Sequence, residues 1–359
     1  MARVLVAWAD DTSTNLGLRA LAQGASALVS AALPGAEVVL QDYGHGPAPT
    51  NIGVPRTLAR EAVGGGHGLA QWVRGFDLVL DMRGGDSFTD IYGLTRLTQQ
   101  CAFAEFVHHL GVPLVLGPQT LGPFTTRRGH LLGARGLRLA RLVMARDPAS
   151  AAVAARMGRP VDVRATDVVF ALPVPAPSGD LDVVLNVSGL LWGADDHVSA
   201  RGYRAEVEEL IHGLRGQGRE VTLLAHVLDS SSPDNDVPVV RELAQRHDLP
   251  AVVPEDLGEV RALLRGARVV VGSRMHACLN ALSVGTPCVA MAYSRKFAPL
   301  FADLGWDRVV DLRVAGVAER VFALVDEASR APAQAQAATA RGRAEALLGD
   351  AVTALRGVL

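Results

Sequence analysis

Residues 267–306 read ARVVVGSRMHACLNALSVGTPCVAMAYSRKFAPLFADLGW, and the fold is decided there. The run from Ala267 to Val271 is short, apolar and β-branched, the pattern of a buried strand, and it stops at Gly272. A helix is expected to begin around Ser273, Arg274 and His276 and to run to about Val284. Gly285, Thr286 and Pro287 then make a turn into a second apolar run from Cys288 to Tyr293, which is followed by the cationic pair Arg295 and Lys296. Two continuously apolar strands joined by a helix predict parallel strands buried on both faces. In such sheets ligands bind beyond the carboxyl ends of the strands, where helix N-termini also point. Two arginines, a lysine and a histidine gathered there suit an anionic small molecule, with an imidazole able to move a proton near neutral pH.

The same strand, loop, helix unit recurs outward in both directions. Towards the N-terminus, strands are expected at Val4–Trp8, Glu37–Asp42, Phe76–Met82, Pro113–Leu116, Leu142–Ala145 and Val161–Ala165. Helices are expected at Leu18–Ala32, Arg56–Val63, Leu94–Leu110 and Arg127–Ala140, with another opened by Pro148 and capped by Asp147. Gly44 to Gly68 is a glycine- and proline-rich excursion. Residues 173–179, PVPAPSG, break the series and read as a linker. A second series follows with strands at Leu181–Val187, Val221–His226, Ala251–Val253 and Arg308–Asp311 around the opening stretch, and with helices at Tyr203–Gln217, Pro238–His247, Leu257–Arg265 and Val317–Ala328. The expected organisation is therefore an N-terminal domain over 1–172, a linker over 173–180 and a C-terminal domain over 181–330. An Ala-rich helix over 331–359 is expected to pack back on the first domain. The fold class is α/β, with two Rossmann-like domains whose parallel sheets face a cleft, as in the glycosyltransferase-B class.

Composition narrows the function. A chain of 359 residues with 49% hydrophobic content has material for two cores, and no segment has the roughly 18 uninterrupted apolar residues of a membrane span. Thirty-five basic against 37 acidic residues leave a net charge of −2, so no global field recruits nucleic acid, and any basic site is local. Cys101, Cys278 and Cys288 form no C-x-x-C pair and fall in expected core segments, which reads as reduced thiols in a cytoplasmic protein. The start of the chain has no long apolar core of a secretory signal. His108 and His109 lack a partnering ligand set, so no metal site and no cofactor are expected.

The ordered motifs resemble those of the polysaccharide pyruvyl transferase family. Ser273-Arg-Met-His-Ala277, Gly285-Thr-Pro287 and Tyr293-Ser-Arg-Lys296 are similar to its R-x-H, G-x-P and Y-x-x-K elements. Arg83-Gly-Gly-Asp86, Gly117 to Phe124, Ala145-Arg-Asp147 with Ser150, Asp167, Asn186-Val-Ser-Gly189 and His226 fall in the family's order, so the resemblance covers nearly the whole chain. Two positions depart from it. The family's N-x-G-D loop ends here in Leu18, and the first of three usual glycines after the third strand is Arg83.

The resemblance implies an enzyme that moves a pyruvyl unit from phosphoenolpyruvate, as donor substrate, to hydroxyls of a saccharide-type acceptor and closes a pyruvate ketal. A donor with a phosphate and a carboxylate needs several cations, for which Arg274, Lys296, Arg295 and, from the first domain, Arg146 are the supply, with Ser273 beside them. His276 is the expected acid that protonates the donor methylene, assisted by Arg274. Asp86, Ser87, Asn15 and His226 are expected on the acceptor side. Two rivals stay open: a nucleotide-sugar glycosyltransferase, for which only Asp303 and Asp307 could hold a ribose, and a non-catalytic scaffold. Within the family, a small natural product could replace the saccharide polymer as acceptor.

Overall fold

The computed structural model describes residues 1–44 and 46–359; His45, within the glycine- and proline-rich excursion, lies outside the described residues. In chain order the first sheet region comprises β1 (Arg3–Ala7), α1 (Leu16–Ala32), β2 (Glu37–Gln41), α2 (Pro55–Val63), α3 (Leu69–Arg74), β3 (Leu78–Asp81), α4 (Leu94–His109), β4 (Leu114–Leu116), α5 (Arg127–Leu139), β5 (Leu142–Ala145), α6 (Pro148–Arg156) and β6 (Val163–Arg164). The second comprises β7 (Leu181–Asn186), α7 (Gly189–Gly193), α8 (Ala200–Gly216), β8 (Val221–Leu224), α9 (Val237–His247), β9 (Ala251–Val252), α10 (Leu257–Arg265), β10 (Ala267–Gly272), α11 (Met275–Ser283), β11 (Cys288–Ala292), α12 (Phe297–Asp303), β12 (Val309–Asp311), α13 (Val317–Ala328) and α14 (Ala331–Arg356).

Two parallel six-stranded sheets result, in the orders β2-β1-β3-β4-β5-β6 and β12-β11-β10-β7-β8-β9. Their strands are parallel because helices return the chain between successive strands, and the side chains of the central strands are buried on both faces. In the first sheet the chain reverses its direction of travel between β1 and β3, and in the second between β7 and β10. Loops on either side of such a reversal diverge, and the carboxyl ends there form a natural ligand crevice. The second sheet's reversal is flanked by Asn186 and Gly272, which are register partners, so the opening stretch of sequence begins at the switch point.

The chain divides into two compact units. One contains Met1–Thr12, Leu21–Leu172 and Ala344–Leu359; the other contains Ser13–Ala20 and Pro173–Arg343. The second unit thus claims the loop and first turn of α1, which sequence reading places with the N-terminal half. In the first unit the end of α14 is tied to the end of α1, since Arg356 Nε and Nη2 donate to the carbonyls of Ala32 and Ala31 at 3.1 and 2.8 Å. Free carbonyls at a helix C-terminus are satisfied here by a guanidinium.

Most expected elements shift by one to three residues, but two short helices, α3 and α7, escape the sequence pattern. Each has six residues or fewer and a glycine at its start, too little for a 3.6-residue period to show. Strands β3 and β8 are also shorter than expected, because Phe76 and Asp77 precede the ladder and Ala225 and His226 have already left it. Residues 173–180 carry no regular structure, yet they are pinned in the second unit: Ser178 N donates to the Ala262 carbonyl at 2.9 Å, and Arg261 Nη2 donates to the Pro173 carbonyl at 3.0 Å. All three cysteines are buried and free. No helix of the described residues is long and apolar enough to cross a membrane.

Candidate functional site

Asn186 ends β7 and organises the switch point of the second unit. Its Nδ2 donates to the Leu224 carbonyl at 3.0 Å, and its Oδ1 accepts from Arg274 N at 3.0 Å. One buried amide therefore ties β8 to β7 and fixes where α11 starts. Beside it Ser273 Oγ lies 2.7 Å from Tyr203 Oη, which also accepts from Ser188 N at 2.9 Å. Burial pushes the Tyr203 phenol up to about 12, so it stays a neutral hydrogen-bonding group. Ser273 is fully buried in this arrangement and serves to join α8 to the head of α11.

Arg274 is the largest departure from expectation. Sequence reading makes it an open cation for the donor; the structure buries it and uses each guanidinium nitrogen. Nη2 donates to Asp236 Oδ1 at 2.6 Å and to the Asp234 carbonyl at 2.5 Å, Nη1 donates to Asp234 Oδ1 at 2.5 Å, and Nε donates to Asp236 Oδ1 at 3.2 Å. Burial alone would lower its pKa, but Asp236 and Asp234 outweigh burial and hold it above its ordinary value. Asp236 is in turn a hub. It accepts from the backbone N–H groups of Gly189, His226 and Val227 at 2.8, 3.0 and 2.9 Å. The loop over residues 229–236 is thereby clamped against α7, and this close approach requires glycine at 189, where a Cβ would stand 1.9 Å from the Asn235 carbonyl oxygen.

His276 occupies the second position of α11 and is half-buried. The loop Asn15-Leu-Gly17 lies against it: a Cβ on Gly17 would come within 2.8 Å of His276 Nδ1. Asn15 caps the start of α1, accepting from Gly17 N at 2.9 Å, and Leu16 N donates to the His226 carbonyl at 3.1 Å. Asn15, expected on the acceptor side of the first domain, therefore sits in the second unit beside the histidine. Leu18, where the family carries an acidic residue, is half-buried in the first turn of α1.

His226 also differs from expectation. It is buried, and burial first, then the neighbouring His276 and Arg274, lower its pKa to about 3. Its tautomer follows from hydrogen bonding. Asn280 Nδ2 donates to the His276 carbonyl at 2.8 Å, while Asn280 Oδ1 receives Arg261 Nη1 at 3.4 Å, so the amide orientation is set. Nδ2 then faces His226 Nε2 at 3.2 Å, and an amide nitrogen can only donate. Nε2 is the acceptor, and the ring proton resides on Nδ1. His226 is a neutral strut and not a cleft-lining polar group.

At the end of the neighbouring strand β11, Tyr293 packs on His197 with ring centroids 5.1 Å apart and on Phe297 at 5.5 Å. Lys296 is the residue at which α12 begins; it is half-buried, and Arg295 beside it is exposed. These two cations stay at the surface of the carboxyl edge, unlike Arg274.

In the first unit Arg146 is buried. Its Nε donates to Thr120 Oγ1 and its Nη1 to Asp167 Oδ2, both at 2.8 Å, while Nη2 is buried with no hydrogen-bond partner. Arg83 is also buried and has a left-handed backbone, φ 44°, where glycine would be easier. Its side chain is held by Asp81, Nε to Oδ2 at 3.0 Å, and stacks 3.8 Å over the Phe88 ring. Ser87 is buried, and Asp86 is half-buried and receives Tyr92 Oη at 3.2 Å. Asp147 caps α6 by accepting from Ser150 N at 2.8 Å. Asp234 and Asp236, which sequence reading passes over inside a polar loop, prove central; an acidic pair two residues apart, ending directly before a helix, was the available signal.

A family model described as polysaccharide pyruvyl transferase matches residues 22–295. The match opens after the Asn15-Leu-Gly17 loop and closes one residue before Lys296. No curated protein matches the chain. Among solved structures, UDP-GlcNAc 2-epimerase from Neisseria meningitidis bound to UDP-GlcNAc has a TM-score of 0.57 at 11% identity, covering 98% of this chain and 99% of that one. UDP-GlcNAc 2-epimerase from Methanocaldococcus jannaschii has a TM-score of 0.54 at 11% identity, covering 90% and 91%. Anabaena HepE in complex with UDP and glucose has a TM-score of 0.53 at 12% identity, covering 97% and 95%. At these identities the likeness is one of fold, which is glycosyltransferase-B-like.

Proposed function

The chain belongs to the polysaccharide pyruvyl transferase family, and from that premise we propose that it transfers a pyruvyl unit from phosphoenolpyruvate to two hydroxyls of a saccharide-type acceptor, releasing phosphate. The observation that carries the proposal is His276 at the switch point, on the first turn of a helix and half-buried, while Arg274, two residues before it, is fully engaged. Lys296 and Arg295, with the positive end of α11, supply attraction for the donor's phosphate and carboxylate. His276 delivers a proton to the donor methylene, which makes the adjacent carbon oxocarbenium-like. An acceptor hydroxyl attacks that carbon and gives up its proton, the phosphate leaves, and a second hydroxyl closes the ketal with loss of its own proton. Arg274, Asp234 and Asp236 act through position: they hold the start of α11 and the loop over 229–236, and so set where His276 points.

The test is phosphate release from phosphoenolpyruvate across a panel of saccharide and nucleotide-linked sugar acceptors, with the ketal identified by mass spectrometry. A nucleotide-sugar enzyme is the second reading, prompted by the neighbours of known structure that carry UDP-GlcNAc or UDP. Binding of a nucleotide sugar in the absence of any response to phosphoenolpyruvate would select it.

A further inference from the structure

We propose that Glu208, His212 and His247 form a site for a divalent late-transition-metal ion, with zinc best suited to the ligand set. Nothing in the sequence pattern marks this site, because the ligands come from two helices. Glu208 and His212 lie four residues apart on α8, hence on one face of it, and His247 is the last residue of α9. One ligand atom from each of the three falls within 4.8 Å of the other two. A tetrahedral zinc with bonds of about 2.1 Å holds its ligand atoms roughly 3.4 Å apart, so small side-chain rotations close the triad.

The buried member provides the second observation. His247 is 8% exposed, and its Nε2 has no hydrogen-bond partner. Glu208 Oε2 is only 2.6 Å from that nitrogen, but off the axis a hydrogen bond needs. A buried imidazole nitrogen left in this state is destabilising, and an ion on its in-plane axis would remove that cost. The rings of His212 and His247 stand 5.1 Å apart at 80°, so they do not stack face to face.

The surrounding residues already orient the ligands. Glu208 Oε1 accepts from Arg246 Nη1, and Arg215 Nη1 donates to the His247 carbonyl at 2.6 Å. Two imidazoles and one carboxylate favour zinc, nickel or copper over magnesium or calcium, which prefer all-oxygen sites. His212 is exposed, which gives the ion an entry path and leaves a fourth position for water. A bound ion would bolt the end of α9 to the middle of α8. None of the three residues belongs to the proposed transfer machinery.

The test uses untagged full-length protein, stripped with a chelator and titrated with zinc chloride by calorimetry. The expected result is one saturable site per chain and a rise in Tm on loading. His212→Ala alters an exposed side chain that the fold does not need, and it is expected to weaken zinc binding by at least about 100-fold, with His247→Gln doing the same. Absence of saturable binding, or binding unchanged in His212→Ala, overturns the site; should His247→Gln fail to fold, His212→Ala alone decides it.

Discussion

At the switch point of the first sheet, Arg83 is buried against a single carboxylate, Asp81, and the face of Phe88. At the switch point of the second, Arg274 is buried against two carboxylates and a backbone carbonyl, and one of those carboxylates holds three further backbone N–H groups. The first arrangement makes a floor: it closes the end of β3 and accepts a strained left-handed arginine in return. The second makes a frame: it fixes a loop and a helix start around a histidine that remains half-buried. Two arginines that look alike in sequence are both buried against carboxylates, and the second has a half-buried histidine two residues after it. The proposed transfer chemistry therefore rests on His276, and the arginines serve the architecture.

The largest effect is expected from His276→Gln. Glutamine keeps much of the size and polarity of the side chain and leaves the Asp234–Arg274–Asp236 frame intact, so Tm should stay close to that of the wild type. Phosphate release from phosphoenolpyruvate should fall by roughly a hundred- to ten-thousand-fold, the usual worth of a positioned proton transfer. Turnover near the wild-type rate would erase the distinction between a frame with an actor and a floor without one.

Next in size is the paired substitution of the two arginines by lysine, read as the shift in urea midpoint at constant slope. Lysine retains the charge but is a point donor without the planar fork. At position 274 it can reach one carboxylate and must abandon the other, losing about two charge-assisted hydrogen bonds, or roughly 3–5 kcal/mol. At position 83 one such bond and the stacking on Phe88 are lost, for roughly 2 kcal/mol. Equal losses at the two positions would mean that the extra bonds around Arg274 are not coupled to folding.

How legible this was in the sequence differs between backbone and site. Apolar runs such as Ala267 to Val271, ended by glycine and followed by a polar helix start, are local signals, and they yielded the parallel sheets, their order of strands and helices, and the position of His276 at a strand end. Family resemblance added the class of enzyme. The state of each charge was not legible, because it depends on partners far away in sequence: Arg274 meets Asp234 and Asp236 some forty residues upstream, and Arg146 meets Asp167. An arginine read along one dimension looks like part of an anion site, and only the fold reveals that the anions of Arg274 and Arg146 are already supplied. Asn15 was misplaced for a related reason. A crossover helix can belong to one unit at its start and to the other for the rest, as α1 does.

The smallest effect concerns His226, the neutral strut of the frame. Its folded-state pKa of about 3 lies below the ordinary value of 6.5. Between those two values the unfolded chain binds a proton that the folded protein refuses, so stability rises with pH across this window and is lost as pH falls from about 6.5 towards 3. The loss builds at up to about 1.4 kcal/mol per pH unit, and at pH 5.5 it should amount to about 1.4 kcal/mol. His226→Gln can still offer an oxygen to Asn280 Nδ2 and does not titrate. Urea unfolding at pH 7.5, 5.5 and 4.5 should therefore show a shallower acid dependence for the variant than for the wild type. Other carboxylates titrate alike in both proteins and cancel in the comparison. Identical pH profiles would mean that His226 takes up its proton in the folded state, beside Arg274 and His276. In that case the frame would tolerate a further positive charge, and burial of a neutral imidazole would no longer set it apart from the floor of the first sheet.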